Sequence, residues 1–260
     1  MALLRCDFFS DVLGVGTSMS VILPQPTTTQ IGMAGTATGA EPAVLYLLHG
    51  MSDDATTWVR RTSIERYAAE LGLAVVMPQV GRSFYVDEHH GGRYGEFVQD
   101  ELPALVQRFF RVSDRREDTF VAGLSMGGYG AFRWALDRPE RFAAAASLSG
   151  VLDLAGLQSG NARPDLERVF GPDPVRAGRH DLLARLADVD TATLPRLWAA
   201  CGTEDELLAG NETFVDAARA AGIPLTWSAE PGRHDWAYWD DRIRDVLAWL
   251  PLEQRDEVTS

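Results

Sequence analysis

The sequence predicts an α/β fold with a mostly parallel central sheet, an N-terminal antiparallel hairpin and helices on both faces. Three observations lead there. Short apolar runs such as AVLYLL, AVVMP, TFVAGL and AAAASL alternate with stretches of helical period, as in a sheet covered on both sides. Residues 3–9 and 17–23 instead alternate polar with apolar around Gly14 and Gly16, the mark of a hairpin with one wet face. The chain has 260 residues, 46% of them apolar, enough to bury one full core. One domain, 1–260, is expected.

Residues 27–42, TTTQIGMAGTATGAEP, lack any period and read as a surface loop. AVLYLLHG follows as a buried strand, then a helix over 57–71 and the strand AVVMPQ. A loop rich in aromatic residues, GRSFYVDEHHGGRYG, leads to a helix over 97–110. The strand TFVAGL, a sharp turn at Ser125, a helix to Asp137 and the strand FAAAASLSG come next. Residues 151–190 break the rhythm with Gly, Pro and mixed charge, and a cap or lid insertion is expected there. RLWAACG, a helix over 209–221, LTWSAEP and an amphipathic helix over 236–250 complete the alternation, and the polar tail QRDEVTS is expected to fray.

Several function classes are disfavoured. Twenty-four basic against thirty-seven acidic residues give a net charge of −13, which repels phosphate backbones and anionic lipid surfaces, so neither nucleic acid nor membrane is an expected partner. No apolar run approaches the roughly 20 residues that cross a bilayer. Arg5 and Asp7 interrupt the N-terminus before a signal peptide can develop, so the cytoplasm is the expected compartment. Cys6 and Cys201 both fall in expected strands and read as buried free thiols. The adjacent His89 and His90 diverge along the backbone and read as solvated rather than metal-binding.

The chemistry is carried by Gly123-Leu124-Ser125-Met126-Gly127, placed directly between an apolar strand and a helical pattern. That context fits the strand-to-helix nucleophile elbow of the α/β-hydrolase fold, whose cramped turn demands small neighbours; Gly123, Gly127, Gly128 and Gly130 supply them. A serine hydroxyl needs an imidazole to take its proton, and in this fold the acid and then the histidine follow the serine in the chain. His180 and His234 qualify. His234 is favoured because it follows a strand and opens the last helix at the carboxyl end of the sheet, whereas His180 sits in the irregular insertion and reads as an ordinary surface histidine. For the acid, Asp205 is selected from the loop after RLWAACG, with Glu204 and Glu206 as rivals and Asp235 as a weaker one. Backbone N–H groups of Met126 and of Met51, after His49-Gly50, would receive the oxyanion, and His49 reads as a brace for that loop.

These residues resemble the esterase D, or tributyrin-esterase-like, family of α/β-hydrolases, related to S-formylglutathione hydrolases and to feruloyl and acetyl xylan esterases. The likeness spans nearly the whole chain. Its carriers are LLHGM with Trp58, RSFY at 82–85 with Tyr94 and Glu101-Leu102-Pro103, GLSMGGYGA at 123–131, CGTED at 201–205 and HDWAYW at 234–239. The resemblance implies Ser125, Asp205 and His234 as a triad, Met51 and Met126 as oxyanion donors, and Trp58, Tyr85 and Trp239 as the border of a small acyl pocket. It implies hydrolysis of short-chain acyl esters, with no metal and no organic cofactor. HGMSDDATTW departs from the S-formylglutathione hydrolase branch, which places a cysteine and a Thr/Ser pair after its His-Gly, so glutathione thioesters are the less expected substrate. The same site could support an acyltransferase, or the fold could survive as a binding protein, although a complete site argues for catalysis. The sequence leaves the acyl length and the oligomeric state open, and a homo-oligomer is compatible with it.

Overall fold

In the hairpin, β1 (Ala2–Ser10) pairs antiparallel with β2 (Val15–Leu23), closed where the Gly14 amide donates to the Ser10 carbonyl at 2.9 Å. Gly14 has φ +69°, a left-handed turn that costs a glycine nothing sterically. The computed structural model describes every residue except 28, 30, 32–39, 159–162, 173–177 and 253–260. Most of loop 27–42 and all of the polar tail QRDEVTS therefore lie outside the described residues.

Strands β3 (Val44–Leu48), β4 (Ala74–Pro78), β5 (Thr119–Leu124), β6 (Ala144–Leu148), β7 (Arg196–Gly202) and β8 (Leu225–Glu230) extend the hairpin into an eight-stranded sheet ordered β1-β2-β4-β3-β5-β6-β7-β8. β2 meets β4 antiparallel, and every pairing from β4 to β8 is parallel. β3 to β6 are buried along their whole length, which is why they read as unbroken apolar runs.

Alternate residues feed two cores. On one face Tyr46, Leu48, Val76 and Val121 pack against α4 (Leu102–Phe109), α5 (Met126–Asp137) and α8 (Leu208–Ala220). On the other, Leu45, Leu47, Val75 and Phe120 pack against α1 (Thr57–Arg61), α2 (Ile64–Leu71) and α9 (Trp236–Trp249). Among the described residues, no helix is long and apolar enough to cross a membrane.

Three expectations are corrected. The single helix over 57–71 is two, because the chain turns extended at Thr62; its hydroxyl donates to the Trp58 carbonyl at 2.6 Å and accepts the Ile64 amide at 3.1 Å. The helix over 97–110 starts earlier, at α3 (Tyr94–Glu96), and widens into a π-turn over Phe97–Glu101 before α4. There the Leu102 amide reaches back five residues to the Phe97 carbonyl, and Pro103 has no N–H to restore the four-residue step. The third concerns the thiols: Cys201 is buried but Cys6 is half-exposed, and both are free.

Among the described residues, 151–190 forms short elements: a 3-10 turn at Leu154–Gln158, α6 (Arg163–Phe170), α7 (Leu182–Arg185) and a second 3-10 turn at Leu186–Asp188; residues 159–162 and 173–177 of the expected insertion lie outside the described residues.

The π-turn also aims Glu101 at the hairpin. Its carboxylate accepts the Asp11 amide at 2.8 Å, the Val12 amide at 3.4 Å and the Ser10 hydroxyl. Replacing Glu101 with Ala leaves these donors without their acceptor, and urea denaturation is expected to register a loss of about 1–3 kcal/mol.

Candidate active site

Ser125 sits between β5 and α5 with φ 54° and ψ −118°, a conformation that costs an L-residue on the order of 1–3 kcal/mol. The surroundings hold it there. Its amide donates to the Leu148 carbonyl at 2.9 Å, and its carbonyl accepts the amides of Gly128, Tyr129 and Val151 at 3.0, 3.2 and 3.1 Å. Side chains are excluded at two neighbours: a Cβ on Gly123 would stand 2.3 Å from the Gly127 carbonyl oxygen, and one on Gly127 would stand 2.4 Å from that of Leu48.

The loops after β7 and β8 bind one another. The Thr203 amide donates to the Glu230 carbonyl at 2.8 Å and the Glu204 amide to the Gly232 carbonyl at 2.9 Å. They bring together residues 29 apart: His234 Nδ1 lies 2.9 and 3.1 Å from the two Asp205 carboxylate oxygens. On its far side, His234 Nε2 lies 3.0 Å from Ser125 Oγ. With Nδ1–H donating to the carboxylate, Nε2 is left to accept from the serine hydroxyl.

The Asp205 side chain is fully buried, and Oδ1 also accepts the Leu207 amide at 2.9 Å. Burial by itself would raise this carboxyl. The hydrogen bonds from the His234 ring and the Leu207 amide outweigh it and hold the group below the usual carboxylate value, so it stays ionised opposite the imidazole. The Trp239 ring stands perpendicular to that of His234, centroids 4.9 Å apart.

The other candidates stand outside this hydrogen-bond chain. Glu204 pairs at the surface with Arg233 at 3.0 Å, and Asp235 caps α9 by accepting the Tyr238 amide at 3.0 Å. His180 is not the surface histidine expected: its carbonyl accepts the Tyr129 hydroxyl at 3.0 Å, its ring meets Phe170 edge to face, and burial with nearby Arg133 and Arg179 pushes its pKa down to about 4.

The loop after β3 faces the serine. Among the described residues, the amides of Met51 and Met126 donate to no backbone acceptor. Gly50 is tied down by Asp53, whose carboxylate accepts its amide at 3.2 Å. His49 is fully buried, with Nδ1 donating to the Gly50 carbonyl at 2.7 Å and Nε2 accepting the Val80 amide at 3.3 Å. Burial lowers its pKa and keeps it neutral, consistent with a brace.

Trp58 and Tyr85 require correction as pocket residues, because neither is among the walls of the cavity at Ser125. Both are core residues that clamp the end of β3 from behind. Trp58 Nε1 donates to the Leu48 carbonyl at 3.1 Å, and the Tyr85 hydroxyl donates to the His49 carbonyl at 2.9 Å. Tyr85 reaches it from a left-handed backbone, φ 59°. The signal was available in the residue types, since a buried indole or phenol usually finds an acceptor.

The cavity has a volume of about 1040 Å³, and Ser125, His234, Met51, Met126 and Trp239 lie on it. One wall is apolar, from Val151, Leu152, Leu157 and Leu207, with Gly150, Gly156, Ala209 and Gly210 leaving room between them; the residues from 151–190 among these fall in a stretch without a readable period. Asp53, Asp153, Glu206 and Asp235 give it an acidic rim, against one basic residue, Arg82, itself paired with Asp165 at 3.1 Å. Among the described residues, no group of three or more His, Cys, Asp or Glu side chains is placed to hold a metal ion.

The Esterase family model matches residues 12–250. The chain belongs to the Esterase family. A curated relative, the acetyl esterase of Caldicellulosiruptor saccharolyticus, is 29% identical over 96% of this chain and 98% of its own. Among solved structures, the fluorophosphonate-binding serine hydrolase F of Staphylococcus aureus superposes with a TM-score of 0.88 at 33% identity, over 97% of this chain and 99% of that one. The S-formylglutathione hydrolase FrmB of the same organism gives a TM-score of 0.83 at 34% identity, over 96% and 98%. The fold of this esterase is thus that of the α/β-hydrolases, and the enzyme is a serine hydrolase of carboxylic esters.

The approach of Gly127 to Leu48 generates a test. Gly127→Ala must push the elbow off β3, and kcat/KM for p-nitrophenyl acetate is expected to fall at least about tenfold, with a stability loss of about 1–3 kcal/mol. Gly16→Ala, where the added methyl meets nothing within 4 Å, is expected to leave both unchanged.

Proposed function

We propose that this esterase hydrolyses small, short-chain acyl esters through Ser125, His234 and Asp205, by way of an acyl-enzyme. The observation that carries the reading is the unbroken hydrogen-bond chain from the Asp205 carboxylate through the imidazole to Ser125 Oγ, opening onto the cavity. As the serine oxygen attacks the ester carbonyl, His234 Nε2 takes its proton, and the buried, ionised Asp205 stabilises the imidazolium that forms. The Met51 and Met126 amides receive the negative charge that develops on the carbonyl oxygen. The imidazolium then protonates the departing alcohol. Water, deprotonated in turn by His234, cleaves the acyl-serine.

The acyl preference rests on two supports: the acetyl esterase relative, which aligns over nearly the full length of both chains, and Trp239 packed across His234, which narrows the space beside the reacting carbonyl. Most of the cavity, on the side of Val151, Leu157 and Leu207, is then left for the alcohol.

A thioesterase acting on S-formylglutathione is the second reading, favoured by the likeness to FrmB. The acidic rim opposes it, because the tripeptide's carboxylates would meet Asp53, Asp153, Glu206 and Asp235 with one arginine in compensation.

The measurement is kcat/KM for p-nitrophenyl esters from acetate to dodecanoate. A steep fall beyond butyrate is expected, and Ser125→Ala should lose at least about 10⁴-fold in kcat. Retained turnover in that variant removes Ser125 from the mechanism, and a flat profile removes the short acyl group. Asp205→Asn keeps the shape but not the charge, and is expected to lower kcat about 10²–10⁴-fold while leaving KM within about threefold.

A further inference from the structure

Strand β1 is an edge of the sheet. β2 pairs with one side of it, and among the described residues no strand pairs with the other. A nine-residue edge carries N–H and C=O groups ready to template another strand, and proteins usually blunt such edges with proline, bulges or charged side chains. β1 has neither proline nor bulge, and its charges are one pair of opposite sign, Arg5 with Asp7 at 3.2 Å. Its register with β2 runs without interruption from Ala2 to Ser10. Leu3 is 48% exposed and Phe9 62%, on the same face as those charges, and half-exposed Phe109 stands against Phe8 just below.

The strand is also complementary to itself. Two antiparallel edges related by a two-fold axis perpendicular to the sheet must have that axis pass midway between a residue and its own copy, because opposed side chains point to the same face. Centred on Arg5, the register opposes arginine with arginine. Centred on Asp7, it opposes two carboxylates. Centred on Cys6, it sets Arg5 against Asp7 of the other copy twice, Leu3 against Phe9 and Leu4 against Phe8, pairings that each stabilise an antiparallel ladder. The net charge of −13 opposes association of two copies in general, so an edge whose own charges cancel is where it is opposed least.

We infer that a second copy of this chain docks here, β1 against β1 about Cys6, joining the two eight-stranded sheets into one. Main-chain hydrogen bonds hold the copies together, and the two Arg5–Asp7 crossings set the register.

Sedimentation equilibrium on the intact chain, with Arg5→Asp, Asp7→Arg, the double variant and Phe9→Lys, tests this. The wild type is expected at twice the 28.5 kDa chain mass. Each single charge reversal places like charges opposite one another and should weaken the dimer at least tenfold, as should Phe9→Lys. The double variant restores opposite pairs and should return to within threefold of wild type. Hydrolysis of p-nitrophenyl acetate checks that each variant is folded. A monomeric wild type overturns the inference, as does a dimer indifferent to the single reversals or a double variant that fails to recover.

Discussion

The site depends on how closely the end of β3 approaches the first turn of α5. Gly127 lies against the Leu48 and His49 carbonyls with no room for a methyl group, and that contact fixes the distance between the Met51 loop and Ser125. The strand end is held from behind by three buried polar side chains. Trp58 takes the Leu48 carbonyl, Tyr85 the His49 carbonyl and the His49 ring the Gly50 carbonyl. Each is a net contribution of about 1 kcal/mol, with a larger penalty if one partner is lost in the dry interior. Together they are comparable in size to the strain of the Ser125 backbone, which is how a conformation unfavourable to the residue persists.

Much of this was legible in the sequence because it rests on short-range rules. Parallel strands buried on both faces announce themselves as continuous apolar runs, and an elbow as glycines on either side of a serine. The pairing of His234 with Asp205 followed from chain order and from the carboxyl-end placement of both loops. The misreadings have physical causes. Trp58 and Tyr85 were expected at the pocket because a large aromatic near a site can either line it or support it, and the choice depends on where the polar end of the ring finds an acceptor. The π-turn escaped because the sequence period changes little when one residue is added to a helical turn. The apolar wall of the cavity escaped because half of it, Val151, Leu152, Gly156 and Leu157, comes from an aperiodic stretch, and the rest from Gly150 and the start of α8 at Leu207, Ala209 and Gly210.

Electrostatics divides the site into two zones. Asp205 is enclosed and ionised, held by donors on two sides, so its charge acts on the imidazole beside it. Glu206 and Asp235, on the cavity but exposed, are screened by water and bear on which molecules approach rather than on the reacting atoms. Asp53 belongs to both zones: burial raises its carboxyl, and the Gly50 amide it accepts is one link from the loop that carries Met51.

The order of the strands has a temporal consequence. Ser125 comes from the centre of the sheet, Asp205 from the end of β7 and His234 from the loop after β8, an edge strand formed by the last part of the chain. Ser125 and His234 are 109 residues apart in sequence. No fragment that stops short of β8 contains the whole constellation. Under the proposed mechanism, a chain emerging during synthesis carries an inert serine until the segment that brings His234 docks, and the onset of ester hydrolysis marks the completion of folding.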